Sequence, residues 1–242
     1  MREDPVLEVI IARLETRATL SDEDRQAIRA LPYVQREVEP SSYLVREGAH
    51  QTRCAFILSG FCYRQKLTSE GSRQIISIEI PGDFVDLQQL FLEESDHNVQ
   101  ALTRASIAEI DSAALRTLAL TRPAVGTALW METLIGASIF REWIVNVGRR
   151  DAHCRVGHLL CEFAMRLDTA NDTSGRRYDL PMTQEQLGDA VGLTPVHVNR
   201  VLRSLTQRGL ISRDRRQVAI LDWDALRDVS DFNPRYLHLA KG

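Results

Sequence analysis

The sequence predicts an α+β chain whose β-rich first half leads through one long helix into a small helical domain with a β hairpin. The first observation is a series of short β-rich runs between about residues 34 and 111. Glycines at positions 48, 60, 71 and 82 punctuate these runs at intervals of 12, 11 and 11 residues, and turn signals at such regular spacing are typical of an antiparallel sandwich or barrel. The second observation is helical apolar spacing over 123–149, and the third is a pair of short helix patterns within 182–211.

Composition narrows the class of protein. The 242 residues are 44% hydrophobic and 26% charged, with a net charge of −3. This length and hydrophobic content are enough for two domains with their own cores. The negative net charge excludes a protein that coats nucleic acid with a basic surface over its whole length. We find no run of about 18 apolar residues, so we expect no membrane span. The N-terminal MREDPVLEVI carries acids and lacks the apolar core of a secretory signal, so it is not expected to be one, and the cysteine usage below predicts a cytoplasmic location.

The four cysteines are scattered along the chain and form no CxxC pair. This usage predicts free thiols in a reducing compartment. Cys154 and Cys161 fall on one face of a predicted helix, where packing is their expected role. Oxidation of Cys54 or Cys62 stays open as a means of regulation.

The first domain is predicted to span residues 1–120, a β-rich sensor or effector domain preceded by two short helices. Apolar residues at helical spacing predict the first helix over 5–15, and Ser21 with Asp24 forms a capping-box pattern that opens a second helix, which runs through Arg29. The runs CAFIL, FCYRQKL, QIISIEI and IAEI then predict strands, and a short helix follows over 112–120.

The long helix is predicted to begin at Pro123 and to end near Arg149, within a segment assigned to residues 121–150. About seven turns is long for a globular helix. Its apolar side could cover its own β domain or pair with a twin helix in a two-fold dimer, and we favour the twin. The residues expected at that interface are Leu129, Leu134, Ile135, Ile139 and Trp143.

The third domain, residues 151–242, opens with a helix over about 152–168 and a polar segment, 168–179, that is expected to be a loop. Thr183 is expected to cap a helix over 184–191 that Gly192 ends. Thr194 caps the next helix, with Pro195 at its first position. The pair is a helix-turn-helix pattern.

The outward face of the second helix carries residues that suit a duplex: Val196, His197, Asn199, Arg200 and Arg203. Asn matches adenine, and Arg matches guanine or phosphate. Between 175 and 218 eight arginines face four acids, a charge of +4, which leaves −7 for the rest of the chain. A basic module on an acidic body favours DNA binding over a plain solvated face. Two short strands around Arg213–Gln217 predict a wing with arginines at its tip.

With these motifs the chain resembles the Crp–Fnr superfamily of bacterial transcription regulators, of the type without cyclic AMP or an iron–sulfur cluster. The matching pieces of the β region are REG (46–48), FILSG (56–60), EG (70–71) and IPGDF (80–84). The C-terminal match is LPMTQEQLGDAVGLTPVHVNRVLRSLTQRGLI. The resemblance implies a cyclic-nucleotide-binding-like β jelly roll, a long dimerisation helix and a winged helix-turn-helix domain.

The same resemblance implies a homodimer that regulates transcription by reading a two-fold symmetric operator in double-stranded DNA, with RNA polymerase as a further partner. It implies base contacts from His197, Asn199 and Arg200. It implies contacts with the DNA backbone from Thr183, Gln184, Thr194 and Arg203, and the wing pattern adds Arg213, Arg215 and Arg216. Family members often carry a glutamate early in this helix, where Val196 and His197 stand here, so the operator half-site is expected to differ.

The sequence predicts no particular effector, and it leaves open whether one exists. The Gly-Glu pair that holds the ribose of cyclic AMP in the family is replaced around Val85–Leu87, and 74–103 contains no Lys or Arg. A phosphodiester buried there without a cation would be costly. The cysteine spacing disfavours an iron–sulfur cluster. Haem, for which His50, His97, His153 and His158 are candidates by residue type, and a small apolar ligand both stay open.

An enzyme and a ligand-binding or protein-interaction module are the two alternatives to a DNA-binding regulator. An enzyme is not expected, because the chain has no His-x-His pair, no GxSxG motif and no P-loop, and we assign no catalytic residue and no metal ligand. The alternative is a ligand-binding or protein-interaction module that carries a jelly-roll domain and has no DNA target. The basic charge of the C-terminal module favours DNA.

Overall fold

A computed structural model describes residues 4–167 and 176–239. Contacts divide the described chain into two compact units. The first unit contains residues 4–65 and 78–137, and the second contains 66–77, 138–167 and 176–239. The division falls inside the long helix, and the domain boundaries expected from the sequence stay a prediction.

Two short helices open the first unit, and both begin with a side-chain cap. In α1 (Pro5–Glu15) the Asp4 carboxylate accepts a hydrogen bond from the backbone N–H of Val6. In α2 (Asp22–Arg29) the Ser21 hydroxyl accepts from the N–H of Asp24, whose carboxylate accepts from the N–H of Ser21. The capping box predicted from the sequence is therefore confirmed, and it fixes where α2 begins.

Eight strands form two four-stranded sheets in the first half of the chain. They are β1 (Tyr33–Val38), β2 (Tyr43–Val45), β3 (Arg53–Ser59), β4 (Cys62–Leu67), β5 (Arg73–Glu79), β6 (Phe84–Val85), β7 (Asn98–Ala101) and β8 (Ala105–Asp111). One sheet has the order β1-β8-β3-β6 and the other β2-β7-β4-β5. The pairs β1–β8, β3–β8, β3–β6, β2–β7 and β4–β7 are antiparallel, and this architecture confirms the predicted jelly roll.

Apolar side chains from both sheets fill the interior of the roll. Val38, Ile57 and Ile107 of one sheet pack with Cys62 and Val99 of the other. The outer face of the first sheet carries a second cluster, in which Phe56 and Ile110 pack against α1, α2 and the helices that follow β8. The sheet is thus buried on both faces at its central strands β3 and β8, which explains why these two strands are mostly buried along their length.

Gly60 has a steric reason to be glycine. It turns the chain between β3 and β4 with φ of 81°, and a Cβ atom there would lie 2.3 Å from the Arg104 carbonyl oxygen. Gly48, Gly71 and Gly82 also have positive φ. The regular glycines of the sequence therefore mark turns whose backbone conformation favours glycine.

The helix α3 (Ser112–Thr121) leads into α4 (Pro123–Arg149), the long helix predicted from the sequence. Within the described residues α4 is the one helix long and apolar enough to cross a membrane, judged by length and composition alone. Ion pairs bind it into the first unit, because Glu132 accepts hydrogen bonds from Arg13 at 3.0 Å and from Arg17 at 2.6 Å. The apolar composition of α4 does not require a membrane, because the helix also carries a stripe of exposed apolar residues.

The structure changes the predicted dimer face of α4. Leu129, Ile135 and Trp143 are buried within the same chain, and the indole N–H of Trp143 donates to Glu162. They are therefore not available to a partner, and Ile139 is half-buried. Of the five residues expected at the interface, Leu134 alone is exposed. The exposed large apolar residues of α4 are Trp130, Met131, Leu134, Ile144 and Val145.

The second unit is built on α5 (Ala152–Leu167), α6 (Gln184–Val191), α7 (Pro195–Gln207) and α8 (Trp223–Val229). Three strands, β9 (Arg177–Asp179), β10 (Ile211–Asp214) and β11 (Gln217–Ile220), form an antiparallel sheet of order β10-β11-β9. The prediction of a loop over 168–179 is wrong for 177–179, because Tyr178 pairs with Val218 and buries its ring. Residue 176 lies outside the strand, as predicted, and 168–175 lie outside the described residues.

Candidate nucleic-acid interface

The helix-turn-helix geometry follows from local capping. The Thr183 hydroxyl accepts from the N–H of Gln186, and the Gln186 side-chain oxygen accepts from the N–H of Thr183. Gly192 ends α6 in the left-handed conformation, with φ of 67°. The Thr194 hydroxyl then accepts from the N–H of His197 at the start of α7. All of these caps were predicted, and together they set the short turn between the helices.

The two helices approach closely at Gly188. A Cβ atom at this position would lie 2.4 Å from the Leu193 carbonyl oxygen, so only glycine allows the turn to fold back on α6. The apolar faces meet beneath the turn, where Leu187, Ala190, Val191, Val198, Val201, Leu202 and Leu205 are buried. Packing on that side leaves the opposite side of α7 facing solvent.

The solvent face of α7 carries the residues expected to read bases. Arg200 and Arg203 are exposed, and His197 and Asn199 are half-buried. Within residues 4–167 and 176–239 no hydrogen bond or ion pair is seen for these four side chains. Their polar groups are therefore available to an external ligand, and donors of these types match base edges and phosphate oxygens.

The wing differs from its prediction in one residue. Arg215 and Arg216 form the turn between β10 and β11 and are exposed, and Arg215 has φ of 51°. Arg213 instead lies within β10, opposite Val218, and desolvation by burial lowers the pKa of its guanidinium. The hairpin is tighter than the sequence indicated, so two arginines, and not three, stand at the tip.

The end of α6 is held by an ion pair inside the second unit. Asp189 accepts from Arg73 at 2.6 and 2.7 Å, and the Gln74 amide donates to the carbonyl oxygens of Asp189 and Ala190. The sequence offered no indication of this contact, because the partners are more than 110 positions apart. It offsets one of the four acids of the basic module.

A buried polar cluster lies in the β roll where the sequence showed no cation. Arg64 of β4 contacts Glu79 at 3.1 Å and Asp86 at 3.5 Å, and all three residues are buried. Burial opposes the charge of Arg64, but the nearby Glu79 and Asp86 leave its pKa raised. The cation comes from outside the acidic window considered in the sequence. The strand period offered a signal for this position. Arg64 lies two residues after Cys62 on β4, so both side chains point to the same inner side of the strand.

His97 belongs to the same cluster and is bound on both ring nitrogens. Nε2 lies 2.8 Å from Asp86 and Nδ1 lies 2.7 Å from Asp96. Burial favours the neutral ring, but the hydrogen bond and charge of Asp86 outweigh it, so the pKa of His97 lies above its ordinary value of 6.5. The folded chain thus favours the imidazolium, and its contribution to stability is present below pH 6.5 and is lost as pH rises through the folded pKa.

We expect His97→Gln to lower the thermal stability of the first unit most at about pH 6, where wild-type His97 is an imidazolium in both states. The deficit should shrink as pH rises above 6.5 and through the folded pKa of His97, because the wild type then loses the same ionic contacts. Unfolding followed by circular dichroism at several pH values measures this difference. A deficit that grows with pH would contradict the assigned charge.

The other histidines that could serve a haem by residue type have different surroundings. His50 is exposed near Glu94, and His153 contacts the Ser204 hydroxyl. His158 is buried and packs against the rings of Phe232 and Tyr236. Among the described residues no group of three or more His, Cys, Asp or Glu side chains could hold a metal ion.

The four cysteines are free and buried. Desolvation raises the pKa of Cys54 well above its ordinary value and raises that of Cys62 to about 12. The thiolate is the reactive form of cysteine, so burial opposes oxidation at both positions. This geometry disfavours the redox regulation that the sequence left open.

Comparison with known proteins extends these observations. A family model described as "Cyclic nucleotide-binding domain" matches residues 35–122, and one described as "Crp-like helix-turn-helix domain" matches 154–229. A "Probable transcriptional activator" of Rhizobium leguminosarum bv. viciae is 26% identical over 194 residues, 80% of each chain. A "Nitrogen fixation regulation protein FixK" of Azorhizobium caulinodans is 29% identical over 172 residues, 71% of this chain and 68% of that one.

A solved structure of FixK2 from Bradyrhizobium japonicum shares the fold. It superposes with a TM-score of 0.76 at 24% sequence identity, covering 82% of this chain and 98% of that one. A β roll, a long helix and a winged helix-turn-helix with exposed arginines, together with these relatives, define a DNA-binding transcription regulator. The chain belongs to the Crp–Fnr superfamily.

Proposed function

We propose that two copies of this regulator pair through α4 and place two α7 helices in successive major grooves of a two-fold symmetric operator. The observation that carries the proposal is the exposed face of α7, where polar side chains that match base edges have no partner among the described residues. Helix-turn-helix dimers bind half-sites about 34 Å apart, one turn of DNA. Such a regulator acts in the cytoplasm, with RNA polymerase as a further partner and no catalytic step of its own.

The spacing of exposed residues on α4 supports the pairing. Positions separated alternately by four and three residues form one stripe: Trp130, Leu134, Ala137, Arg141, Ile144 and Gly148. Except for the half-buried Ala137 these residues are exposed. A 4-3 repeat is the pattern with which two helices pack in a coiled coil. Arg141 interrupts the apolar run, and one polar residue in such a seam favours a single register at a cost in stability.

The roles of the DNA-facing residues follow from their positions. We assign base contacts to His197, Asn199 and Arg200 in the first two turns of α7. Backbone contacts are assigned to Thr183, Gln184, Thr194, Arg203, Arg215 and Arg216. Arg213 stays a candidate for a phosphate contact, although its half-buried position in β10 leaves it less reach than the two arginines of the turn.

Arg200→Ala and Arg215→Ala are expected to separate base reading from phosphate attraction. Arg200→Ala should relax preference at one operator position, with a loss of about 1–3 kcal/mol on the preferred duplex. Arg215→Ala should weaken binding to every duplex alike and reduce the slope of log affinity against log salt by about 1. Fluorescence anisotropy on preferred and scrambled duplexes measures both. Equal losses on every duplex for both variants would refute the assignment.

The alternative function, a protein-interaction module without a DNA target, makes a different prediction in the same assay. A DNA binder loses affinity steeply with salt, with a slope of about −0.9 per neutralised phosphate. A module that binds protein would select no sequence from a random duplex pool. The unpaired polar face of α7 and the exposed arginines of the wing turn favour DNA.

Control by cyclic AMP is disfavoured by the contents of the roll. The cation nearest to the acidic residues is Arg64, and its guanidinium already contacts Glu79 and Asp86. A phosphodiester would have to displace one of these carboxylates and lie beside the other, which costs electrostatic free energy. We therefore propose a regulator that binds no cyclic nucleotide. A direct check is calorimetric titration with cyclic AMP, for which we expect no heat of binding.

A further inference from the structure

Val196 has an exposure that its own fold does not explain. It is 81% exposed, more than any other large hydrophobic residue in the described part of the chain. It occupies the second position of α7, after Pro195, and the helix core beneath it is filled by Val198, Val201 and Leu202. Valine is also a weaker helix former than alanine. Neither packing nor helix propensity therefore accounts for a β-branched apolar side chain here.

The position of Val196 on the helix connects it to the DNA-facing residues. Asn199, Arg200 and Arg203 follow at three, four and seven residues, so they share one face with Val196. Val196 stands one turn nearer the N-terminus of α7 than Asn199 and Arg200. The N-terminal residues of a recognition helix are the ones that contact base edges in the major groove.

The chemistry of the Val196 side chain limits which feature of a base edge it can recognise. An isopropyl group neither donates nor accepts a hydrogen bond, and the apolar feature on base edges in the major groove is the C5-methyl group of thymine. Resting on the proposed DNA-reading function, we propose that Val196 is a specificity-determining residue that packs against a thymine methyl group in each operator half-site. It selects an A·T pair by apolar contact beside positions read through hydrogen bonds.

Replacement of thymine by deoxyuridine tests the contact, because it removes the methyl group and keeps every hydrogen-bonding group of the base. An operator is first selected with the wild-type protein from a random duplex pool, and each thymine of a half-site is then replaced in turn. At one position the substitution should weaken binding about fourfold per half-site, the effect of burying one methyl group, and about 15-fold when both half-sites carry it.

Val196→Ala supplies the second arm of the test. On the thymine operator it should lose a comparable factor, and it should bind the thymine and deoxyuridine duplexes equally. Val34→Ala is the matched control, since Val34 is 49% exposed on β1, and it should keep the wild-type response. If no thymine shows the methyl effect, or if Val196→Ala retains it, the inference is wrong. If no duplex is enriched at the selection step, the proposed function itself fails, which is a distinct result.

Discussion

Replacing both Leu134 and Ile144 by glutamate is expected to leave the chain monomeric and to weaken binding to a selected operator about a hundredfold or more. Both residues lie on the exposed stripe of α4, with 49% and 68% of their surfaces accessible. A pair of helices would bring four carboxylates into one apolar seam, where like charges oppose association. A monomer holds one half-site only and loses the gain in affinity from two linked contacts.

Sedimentation velocity gives the oligomeric state, and anisotropy gives the affinity. The matched control is Leu120→Glu, which introduces the same charge at a leucine that is 66% exposed on α3. It should sediment as the wild type and keep full affinity. If the Leu134 and Ile144 variant remains a dimer, the stripe is not the interface. If it becomes a monomer and retains full affinity, pairing is not needed to bind the operator.

Arg64→Met is expected to destabilise the β roll by about 3–5 kcal/mol, the largest stability effect of any substitution considered for this chain. Removal of the guanidinium takes the Arg64 cation away from the buried Glu79 and Asp86, and Asp86 keeps only its contact with His97 on that side of the cluster. Buried carboxylates that lose their ion-pair partner carry an uncompensated desolvation cost. Chemical denaturation measures the change as a lower midpoint at an unchanged slope.

Two further variants separate the loss of the cation from the loss of packing. Arg36→Met removes an exposed arginine that pairs with Glu109 across β1 and β8, and it should cost less than about 1 kcal/mol. Arg64→Met combined with Glu79→Gln and Asp86→Asn should recover part of the lost stability, because the buried charges are removed together. A triple variant that is less stable than Arg64→Met alone would contradict the account.

Local patterns in the sequence predicted most of the secondary structure of this fold. The Ser21 and Thr183 capping boxes, the αL glycine after α6 and the regular glycines of the roll are determined by neighbouring residues, so they could be predicted. The helix-turn-helix and its outward face followed from helical period alone. These features depend on contacts within a few residues, which a sequence displays directly.

What the sequence did not show depends on contacts between distant residues. Strand β9 forms because Tyr178 pairs with Val218, 40 positions later, and nothing in its polar neighbourhood indicated a strand. Arg64 meets Glu79 because β4 and β5 are neighbours in the second sheet, whereas Asp86 comes from the end of β6 in the first sheet. Three of the five residues predicted at the dimer face of α4, Leu129, Ile135 and Trp143, are buried in the same chain, which leaves a different stripe exposed. Periodicity predicts that a helix has an apolar face, and tertiary packing decides which residues remain outside.

The most direct test of the central claim is the number of chains bound to one operator. Native mass spectrometry of the wild-type protein mixed with a selected duplex measures this number without a variant or a label. The account predicts two chains on each duplex, with no complex of one chain accumulating as protein is added. A saturated complex that contains a single chain at full affinity would contradict it.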